Sequence, residues 1–203
     1  MGYLLAILGG YLLGSSNMAF YIGKLKKVDM RNSGSRNLGT SNAAILLGWG
    51  SGIAVGIHDI GKAIAAVLLA KLFFPHLEFV GAAAGVACVL GHIFPFYLGF
   101  KGGKGFAPYL GMTFALNWKL ALVVLVLVLV ITLITDYLVL GTFTTIALVP
   151  IWEGIEAMSW GLPLILLIAS GIILYKHREN IVRLHNGTEI GLRSTAKGEH
   201  KAK

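Results

Sequence analysis

The chain has 203 residues, of which 56% are hydrophobic and only 13% are charged, whereas an ordinary soluble domain is about 25% charged. Because a membrane-spanning helix needs roughly 20 apolar residues, the sequence predicts a polytopic membrane protein with six or seven spans and no separate soluble domain. The formal net charge of +8 does not indicate nucleic-acid binding, since the basic residues lie between and after the apolar segments. The single cysteine, Cys88, excludes an intramolecular disulfide and indicates no metal cluster.

Apolar segments separated by charged or glycine-rich stretches predict seven spans, so the expected fold class is an all-α polytopic membrane protein. No lysine or arginine precedes the first apolar segment, so we expect a retained span with its N-terminus outside rather than a cleaved signal peptide. Residues 152–160 are expected to form an outer interfacial connection. The predicted spans are 3–23, a second that begins between 43 and 52 and ends near 72, 79–98, two that divide the run 106–135 at 117–119, 138–151 and 162–175.

The distribution of positive charge predicts which membrane face each loop occupies. Of the 17 lysines and arginines, 14 lie in three stretches: five within 24–41, two at 101 and 104, and seven from 176 onward. Cytoplasmic loops are enriched in these residues, so all three stretches and the C-terminus are expected on the cytoplasmic side. The predicted organisation is one seven-span domain over 1–190 and a basic, disordered cytoplasmic tail over 191–203.

The second of these stretches, between residues 91 and 107, has the sequence GHIFPFYLGFKGGKGFA. It places Lys101 and Lys104 beside Gly102 and Gly103, and glycine backbone can direct successive N–H groups towards one anion. A phosphate is the expected ligand. The stretch does not match an ATP-binding P-loop, because glycine rather than serine or threonine follows Lys104. The structural alternative is a helix break whose lysines contact lipid headgroups.

The first and third stretches are rich in residues that form hydrogen bonds. Residues 31–42, RNSGSRNLGTSN, contain three asparagines, three serines and a threonine, and the structural alternative for them is a turn followed by a helix cap. Residues 176–189, KHRENIVRLHNGTE, place His177 and Asn180 on one helix face if the last span continues as a helix. Here the alternative is a basic helix held at the membrane surface by anionic lipid. Together the three stretches predict a cytoplasmic site for a small phosphorylated substrate.

The order and content of these stretches resemble the motifs of the bacterial acyl-phosphate:glycerol-3-phosphate acyltransferase (PlsY) family. The glycine-rich stretch matches the second family motif almost throughout. The third motif is matched by HRENIVRL, followed by a glycine at 187 and a glutamate at 189. The residues that fit the first motif, GSxNxGxxN, are Gly34, Ser35, Asn37, Gly39 and Asn42. The resemblance covers nearly the whole chain.

The resemblance implies transfer of a fatty acyl group from acyl phosphate to a primary hydroxyl of sn-glycerol 3-phosphate. The products would be 1-acylglycerol 3-phosphate and inorganic phosphate, an early step in phospholipid biosynthesis. No metal, no cofactor, and neither acyl-CoA nor acyl carrier protein as a direct donor is implied. The expected partners are glycerol 3-phosphate, acyl phosphate and membrane lipid, with no nucleic acid and no obligate protein partner. The expected location is the cell inner membrane, with the site facing the cytoplasm.

The residues at the matching positions suit that chemistry, because lysines and backbone amides offer point charge and directed donors to a phosphate. The candidate catalytic residues are His177, Asn180, Ser35 and Lys104. The general base is either His177 or the phosphate of the substrate itself. The candidate substrate- and phosphate-binding residues are Gly34, Arg36, Asn37, Gly39, Asn42, Lys101, Gly102, Gly103 and Arg178.

The first stretch departs from the family pattern, which usually reads GSGNxGATN with an arginine three residues later. This chain has Arg36 inside the motif, Thr40 and Ser41 in place of alanine and threonine, and Ile45 at the arginine position. If that arginine binds the substrate phosphate, its loss should weaken binding, and we hypothesise that Arg36 replaces it. The departure also motivates an alternative, a divergent or inactive paralogue that acts on another phosphorylated alcohol.

A function of a different class, a small transporter of a phosphorylated metabolite, depends on two charged residues inside the second predicted span. Asp59 and Lys62 are three apart and share a helix face, and charges within a membrane often mark a transport pathway. No inverted repeat accompanies them in the sequence, and the polar groups gather at one membrane face. We therefore expect Asp59 and Lys62 to form a structural ion pair.

Overall fold

The computed structural model describes residues 1–192. Over this part of the chain the regular elements are α-helices and one short 3₁₀ helix, so the all-α class is confirmed for the described residues. Of the tail predicted over 191–203, residues 193–203 lie outside the described residues. The elements are α1 (Gly2–Ser15), α2 (Met18–Leu25), α3 (Thr40–Leu47), α4 (Trp49–Phe73), α5 (Val80–Ile93), the 3₁₀ helix Phe96–Leu98, α6 (Phe106–Leu116), α7 (Trp118–Thr135), α8 (Leu138–Ala157), α9 (Gly161–Lys176) and α10 (Arg178–His185).

Five helical segments are long and apolar enough to cross a membrane, and they make the chain a multi-pass membrane protein. The pair α9 and α10, bent by 51° at their junction, adds a sixth candidate. Helix α6 is apolar but has only 11 residues, which at about 1.5 Å per residue extend roughly half of the hydrocarbon core. The five segments are Gly2–Leu25, Trp49–Phe73, Val80–Leu98, Trp118–Thr135 and Leu138–Ala157.

Two predicted boundaries are confirmed and one is wrong. The long apolar run divides at Asn117, which ends α6 with an extended backbone (φ −147°), and the second span begins at Trp49. The predicted end of the sixth span at residue 151 is wrong, because α8 continues to Ala157. The indole N–H of Trp152 donates to Oε2 of Glu156 at 2.9 Å, an i,i+4 contact that helices favour. Part of the predicted outer connection is therefore helical.

The first span contains a break that the hydrophobic pattern does not indicate. Ser16 and Asn17 separate α1 from α2, and Asn17 Oδ1 accepts a hydrogen bond from the N–H of Phe20 at 2.9 Å. In a continuous helix that N–H would donate to the carbonyl of Ser16. The Ser16 carbonyl instead accepts a hydrogen bond from Nζ of Lys62 at 2.7 Å. The break therefore opens a backbone acceptor to a neighbouring helix.

The described chain forms two compact units, one over residues 1–118 and the other over residues 119–192. In the first unit, α1 packs closely against α5, since a Cβ at Gly10 would meet the backbone of Ala84 and one at Gly14 would meet that of Cys88. Small residues at such positions let membrane helices approach one another. In the second unit, α8 packs against α9, and α9 leads directly into the third polar stretch.

A buried apolar cluster in the first unit supports the first and second polar stretches together. It contains Met30, which directly precedes the first stretch, Leu38 from that stretch and Leu98 from the second, packed with residues of α2, α3 and α4. Met30 and Leu38 are each 2% exposed, and Leu98 is 6% exposed. Because apolar side chains from both stretches leave water in one cluster, the two loops rest on a common support.

Candidate functional site

The first polar stretch is organised around the side chain of Asn42, which is fully buried. Its Oδ1 accepts a hydrogen bond from the N–H of Ser35 at 2.9 Å. Its Nδ2 donates to the carbonyls of Asn37 at 2.9 Å, Met30 at 3.1 Å and Ser33 at 3.2 Å. These contacts use the whole side-chain amide. In this conformation Asn42 fixes the loop, and the prediction that it also binds substrate stays a prediction.

The same loop turns Arg36 outward. Arg36 is exposed and left-handed (φ +53°), and within residues 1–192 its guanidinium forms no hydrogen bond or ion pair. Ser35 and Asn37 are half-buried beside it. Ile45, at the position where the family pattern has arginine, is 39% exposed on α3. Gly34 also has a positive φ (+58°), which glycine adopts without steric penalty.

Two further features of the first stretch bear on anion binding. Helix α3 begins after Gly39, which has no side chain to accept hydrogen bonds from the first turn, and such helix N-termini attract anions. At the start of the stretch, the N–H of Arg31 donates to Asp29 Oδ1 at 3.0 Å, and Asn32 donates to Oδ2 at 2.8 Å. These donors, the Arg31 backbone first, hold the pKa of Asp29 below its usual value. The Asp29 carboxylate is thus bound by backbone and side-chain donors of the loop itself.

The glycine-rich stretch folds back onto the end of α5. The N–H of Gly102 donates to the carbonyl of Ile93 at 3.0 Å, and the N–H of Gly103 donates to the carbonyl of His92 at 3.1 Å. Both amides therefore donate to the protein's own backbone in this conformation, and the prediction that they bind a phosphate stays a prediction. Glycine is required for another reason: a Cβ at 102 would meet the His92 carbonyl and Pro95, and one at 103 would meet the His92 ring.

After these glycines the loop leads into the N-terminus of α6. Gly105 is the N-cap residue, with φ +93° and no side chain to cap the first turn. Lys104 immediately before it is half-buried, whereas Lys101 is exposed. A lysine ammonium and uncapped helix amides both favour an anion. The anion-binding potential of this stretch therefore lies at Lys104 and the first turn of α6.

The two charged residues inside the second span form the predicted ion pair. Lys62 Nζ lies 2.7 Å from Asp59 Oδ1, and the two side chains are 5% and 2% exposed. A buried charge within a membrane is costly unless it is paired. Here each charge has an internal partner, so the pair gives no support to a transport pathway.

In the second unit, His177 lies at the bend between α9 and α10. The last span does not continue straight into the third stretch, because the two helices meet at 51°. His177 is 6% exposed, its Nδ1 lies 2.8 Å from the carbonyl of Ile173, and its ring lies edge-on to Phe143. A carbonyl oxygen only accepts, so Nδ1 carries the proton and, in the neutral ring, Nε2 carries the lone pair.

Asn180 is held by a carboxylate from the end of the third stretch. Asn180 Nδ2 donates to Glu189 Oε1 at 2.7 Å, and Arg183 Nε donates to Glu189 Oε2 at 2.8 Å. The contact fixes the Asn180 amide with Nδ2 towards Glu189. Arg178, a predicted binding residue, is exposed and stacks over the ring of Tyr175 at 4.5 Å. This conformation therefore keeps Arg178 against the end of α9.

Comparison with known proteins assigns the chain to a family. The family model described as glycerol-3-phosphate acyltransferase matches residues 4–187. The chain belongs to the glycerol-3-phosphate acyltransferase family. A glycerol-3-phosphate acyltransferase of Prochlorococcus marinus (strain MIT 9215) is 37% identical over 193 residues, covering 92% of this chain and 95% of that one. Another, from Aquifex aeolicus (strain VF5), is 36% identical over 189 residues, covering 93% and 98%.

Two solved structures of a glycerol-3-phosphate acyltransferase share the fold. Both are crystal structures of PlsY, an integral membrane glycerol 3-phosphate acyltransferase. Its glycerol 3-phosphate form superposes with a TM-score of 0.90 at 34% identity, covering 97% of this chain and 98% of that one. Its lysophosphatidic acid form superposes with a TM-score of 0.85 at 34% identity, covering 94% and 95%. The likeness extends over essentially the whole fold.

As a glycerol-3-phosphate acyltransferase, the chain has supporting residues that the sequence reasoning did not select. His92, inside the glycine-rich stretch, contacts both Gly102 and Gly103. Glu189, at the end of the third stretch, orients Asn180. The sequence does contain an indication that both residues have a role in the site, since each is a polar residue within a matched motif beside an apolar span. Spacing alone could not show that they bind protein groups.

Proposed function

We propose that this chain transfers a fatty acyl group from acyl phosphate to the primary hydroxyl of glycerol 3-phosphate. The observation that carries the proposal is the end of the glycine-rich loop, where Lys104 stands directly before the N-terminus of α6, which no side chain caps. A lysine beside helix-terminal amides suits a phosphate group. Membership of the glycerol-3-phosphate acyltransferase family supports the choice of acceptor.

In the proposed reaction, the hydroxyl oxygen of glycerol 3-phosphate attacks the carbonyl carbon of acyl phosphate. The ester C–O bond forms as the bond from that carbon to the phosphate oxygen breaks, and the hydroxyl proton passes to a base. The products are 1-acylglycerol 3-phosphate and inorganic phosphate. Because phosphate is already a good leaving group, positioning and charge stabilisation supply much of the rate.

The first unit supplies the proposed phosphate ligands. Lys104 and the first turn of α6 bind one phosphate, with Lys101 adding charge from the loop surface. Ser35 offers a half-buried hydroxyl near the start of α3, whose first turn is likewise uncapped by a side chain. Gly102 and Gly103 act through shape, because only glycine lets the loop lie on α5.

Arg36 is the proposed replacement for the arginine of the family motif. It lies three residues before Gly39, the N-cap of α3, and its exposed guanidinium has no hydrogen-bond or ion-pair partner among the described residues. An arginine can bind phosphate bidentately. Ile45, at the usual arginine position, cannot bind phosphate at all. Arg36 therefore provides the planar donor that this chain otherwise lacks in its first motif.

The second unit supplies the proposed proton acceptor. With Nδ1 committed to the carbonyl of Ile173, the Nε2 atom of His177 has the lone pair that a general base needs. The substrate's own phosphate is the alternative base. Asn180, whose amide is oriented by Glu189, is proposed to bind the glycerol hydroxyl or a phosphate oxygen.

The proposed topology has seven spans, with α6 as a short one, the N-terminus outside and the C-terminus in the cytoplasm. The support is the clustering of 14 of the 17 lysines and arginines in three stretches that this topology places on one face. The location that follows is the cell inner membrane, with the site open to cytoplasmic glycerol 3-phosphate and the acyl chain among the spans. Single-cysteine accessibility labelling at residues 36 and 76 would test it, with cytoplasmic and outer labelling expected respectively.

The experiment that tests the function measures inorganic phosphate release by the purified protein in lipid. Palmitoyl phosphate is supplied with and without glycerol 3-phosphate, to the wild type and to Lys104→Met and Lys71→Met. Methionine keeps the aliphatic volume of lysine, and Lys71 is an exposed lysine far along α4 that contacts the Ala115 carbonyl. We expect release that depends on glycerol 3-phosphate, is lost in Lys104→Met and persists in Lys71→Met. Release that ignores the acceptor would refute the proposal.

A second candidate, acylation of another phosphorylated alcohol, is favoured by one observation, the isoleucine at position 45. The same assay distinguishes it when glycerol 3-phosphate is replaced by other phosphorylated alcohols at equal concentration. A larger kcat/KM for one of them would favour this candidate. Uptake of a phosphorylated metabolite into sealed vesicles without a lipid product would favour transport. The ion pair of Asp59 and Lys62 does not support transport, because each charge is paired within the protein.

A further inference from the structure

A buried polar cluster in the first unit joins three helical segments next to the glycine-rich loop. Lys62 Nζ lies 2.7 Å from Asp59 Oδ1, 2.7 Å from the carbonyl of Ser16 and 3.0 Å from Nδ1 of His92. An ammonium has three protons, and these three acceptors account for all of them. The cluster is therefore fully satisfied, which a buried charge inside a membrane protein requires.

These contacts determine the orientation and protonation of the His92 ring. An ammonium only donates, so Nδ1 of His92 accepts and, in the neutral ring, Nε2 carries the proton. Asp59 Oδ1 lies 3.3 Å from the same Nδ1, farther than Lys62. His58 contacts the same oxygen of Asp59, with its Nδ1 3.4 Å from Oδ1, and its Nε2 lies 3.0 Å from Ser16 Oγ. His92 is 2% exposed, so little of the ring is open to water.

The opposite edge of the His92 ring lies against the glycine-rich loop. A Cβ added to Gly103 would collide with Nε2 of His92, while the N–H of Gly103 donates to the His92 carbonyl. The loop thus contacts His92 through both its ring and its backbone. Because Gly103 is one residue before Lys104, a rotation of this ring would displace the proposed phosphate ligand.

We propose that Asp59 and Lys62 are positioning residues that lock the His92 ring, and that the ring in turn sets the position of the glycine-rich loop for phosphate binding. The inference rests on the proposed function, in which this loop binds the phosphate of glycerol 3-phosphate. The ion pair thus acts on substrate binding through His92. If the ion pair were purely structural, its loss would affect folding. The KM for glycerol 3-phosphate and the KM for acyl phosphate would then either both stay the same or both change by the same factor.

A double-mutant cycle between Gly103 and His92 tests the contact. Gly103→Ala should raise the KM for glycerol 3-phosphate by about tenfold, because the new methyl displaces the loop from the ring. His92→Asn keeps an amide near the Nδ1 position for Lys62 but removes the ring edge, and alone should raise the same KM several-fold. In the His92→Asn background, Gly103→Ala should add less than about threefold, because the methyl then has room. The KM for acyl phosphate should stay within about twofold in each variant.

Gly102→Ala is the matched control for this cycle. Its methyl would meet the His92 carbonyl and Pro95, which His92→Asn leaves in place. The effect of Gly102→Ala should therefore be the same in both backgrounds. Equal effects of Gly103→Ala in both backgrounds, or an unchanged KM in His92→Asn, would overturn the inference.

A second variant covers the case in which His92→Asn does not fold in detergent, as judged by size-exclusion chromatography. Asp59→Asn with Lys62→Met removes both charges together, leaves no lone buried charge and keeps the His92 ring. The released ring should raise the KM for glycerol 3-phosphate by about tenfold with kcat within about threefold of wild type. An unchanged KM would overturn the inference. Absence of acceptor-dependent phosphate release from the wild type would instead refute the proposed function.

Discussion

Asn180 and Glu189 are joined by a hydrogen bond of 2.7 Å from the Asn180 amide to one carboxylate oxygen, while Arg183 donates to the other oxygen at 2.8 Å. Glu189 is 6% exposed and Asn180 is 8% exposed. The carboxylate thus accepts from two donors in a site with little water. It determines which atoms of Asn180 face the rest of the second unit.

Replacement of this carboxylate should affect both stability and activity. In Glu189→Gln, an amide nitrogen faces one of the two donors, so we expect a loss of about 3 kcal/mol in unfolding free energy. We also expect kcat/KM to fall by at least about tenfold, because the Asn180 amide is no longer held. Thermal unfolding in detergent and phosphate release measure the two effects. Glu179→Gln is the control, since Glu179 is exposed and lies 4.0 Å from Arg183; equal effects of the two variants would contradict the prediction.

The buried amide of Asn42 predicts a defect in the first loop. Asn42→Asp keeps an acceptor for the N–H of Ser35 but cannot donate to the carbonyls that Nδ2 now contacts, at a cost of about 1–3 kcal/mol. We expect a higher KM for glycerol 3-phosphate and faster cleavage by trypsin at Arg31 and Arg36. Asn32→Asp is the control, because Asn32 is exposed and donates only to Asp29. Trypsin resistance equal to wild type in Asn42→Asp would show that the amide does not hold the loop.

The hypothesis that Arg36 replaces the motif arginine is tested by removing Arg36 and then placing an arginine at position 45, where the family pattern has one. Arg36→Ala should raise the KM for glycerol 3-phosphate by about 10- to 100-fold, because a charge-assisted phosphate contact is lost. Adding Ile45→Arg should restore much of the binding, since residue 45 is partly exposed on α3. Arg31→Ala, which removes an exposed arginine bound to Asp29, is the control. An unchanged KM in Arg36→Ala would exclude Arg36 as the replacement.

The lone pair on Nε2 of His177 predicts a kinetic signature for a general base. His177→Gln should lower kcat by about 10²-fold with little change in either KM. A base must be deprotonated to act, so the wild-type kcat should fall at acidic pH, and this limb should disappear in His177→Gln. If the variant keeps both its kcat and the acidic limb, the substrate phosphate is the base. Circular dichroism should show wild-type helix content, so that a folding defect is not mistaken for a catalytic one.

The sequence by itself determined the class of protein and the local features of the site. Its composition predicts a multi-pass helical protein because apolar residues must fill each span. The break at Asn117 and the i,i+3 pair of Asp59 and Lys62 were also predictable, because both depend on residues close together in the chain. The three polar stretches, together with their resemblance to a family, indicated the candidate site residues.

Only the tertiary structure decided what many of those residues contact. Asn42 and the amides of Gly102 and Gly103 looked suited to a ligand, yet they bind the protein's own backbone. Lys62 found its third acceptor in His92, which lies 30 residues away on α5. Spacing along one helix cannot reveal such contacts, because they depend on how α4 and α5 pack and on where a helix break exposes the carbonyl of Ser16.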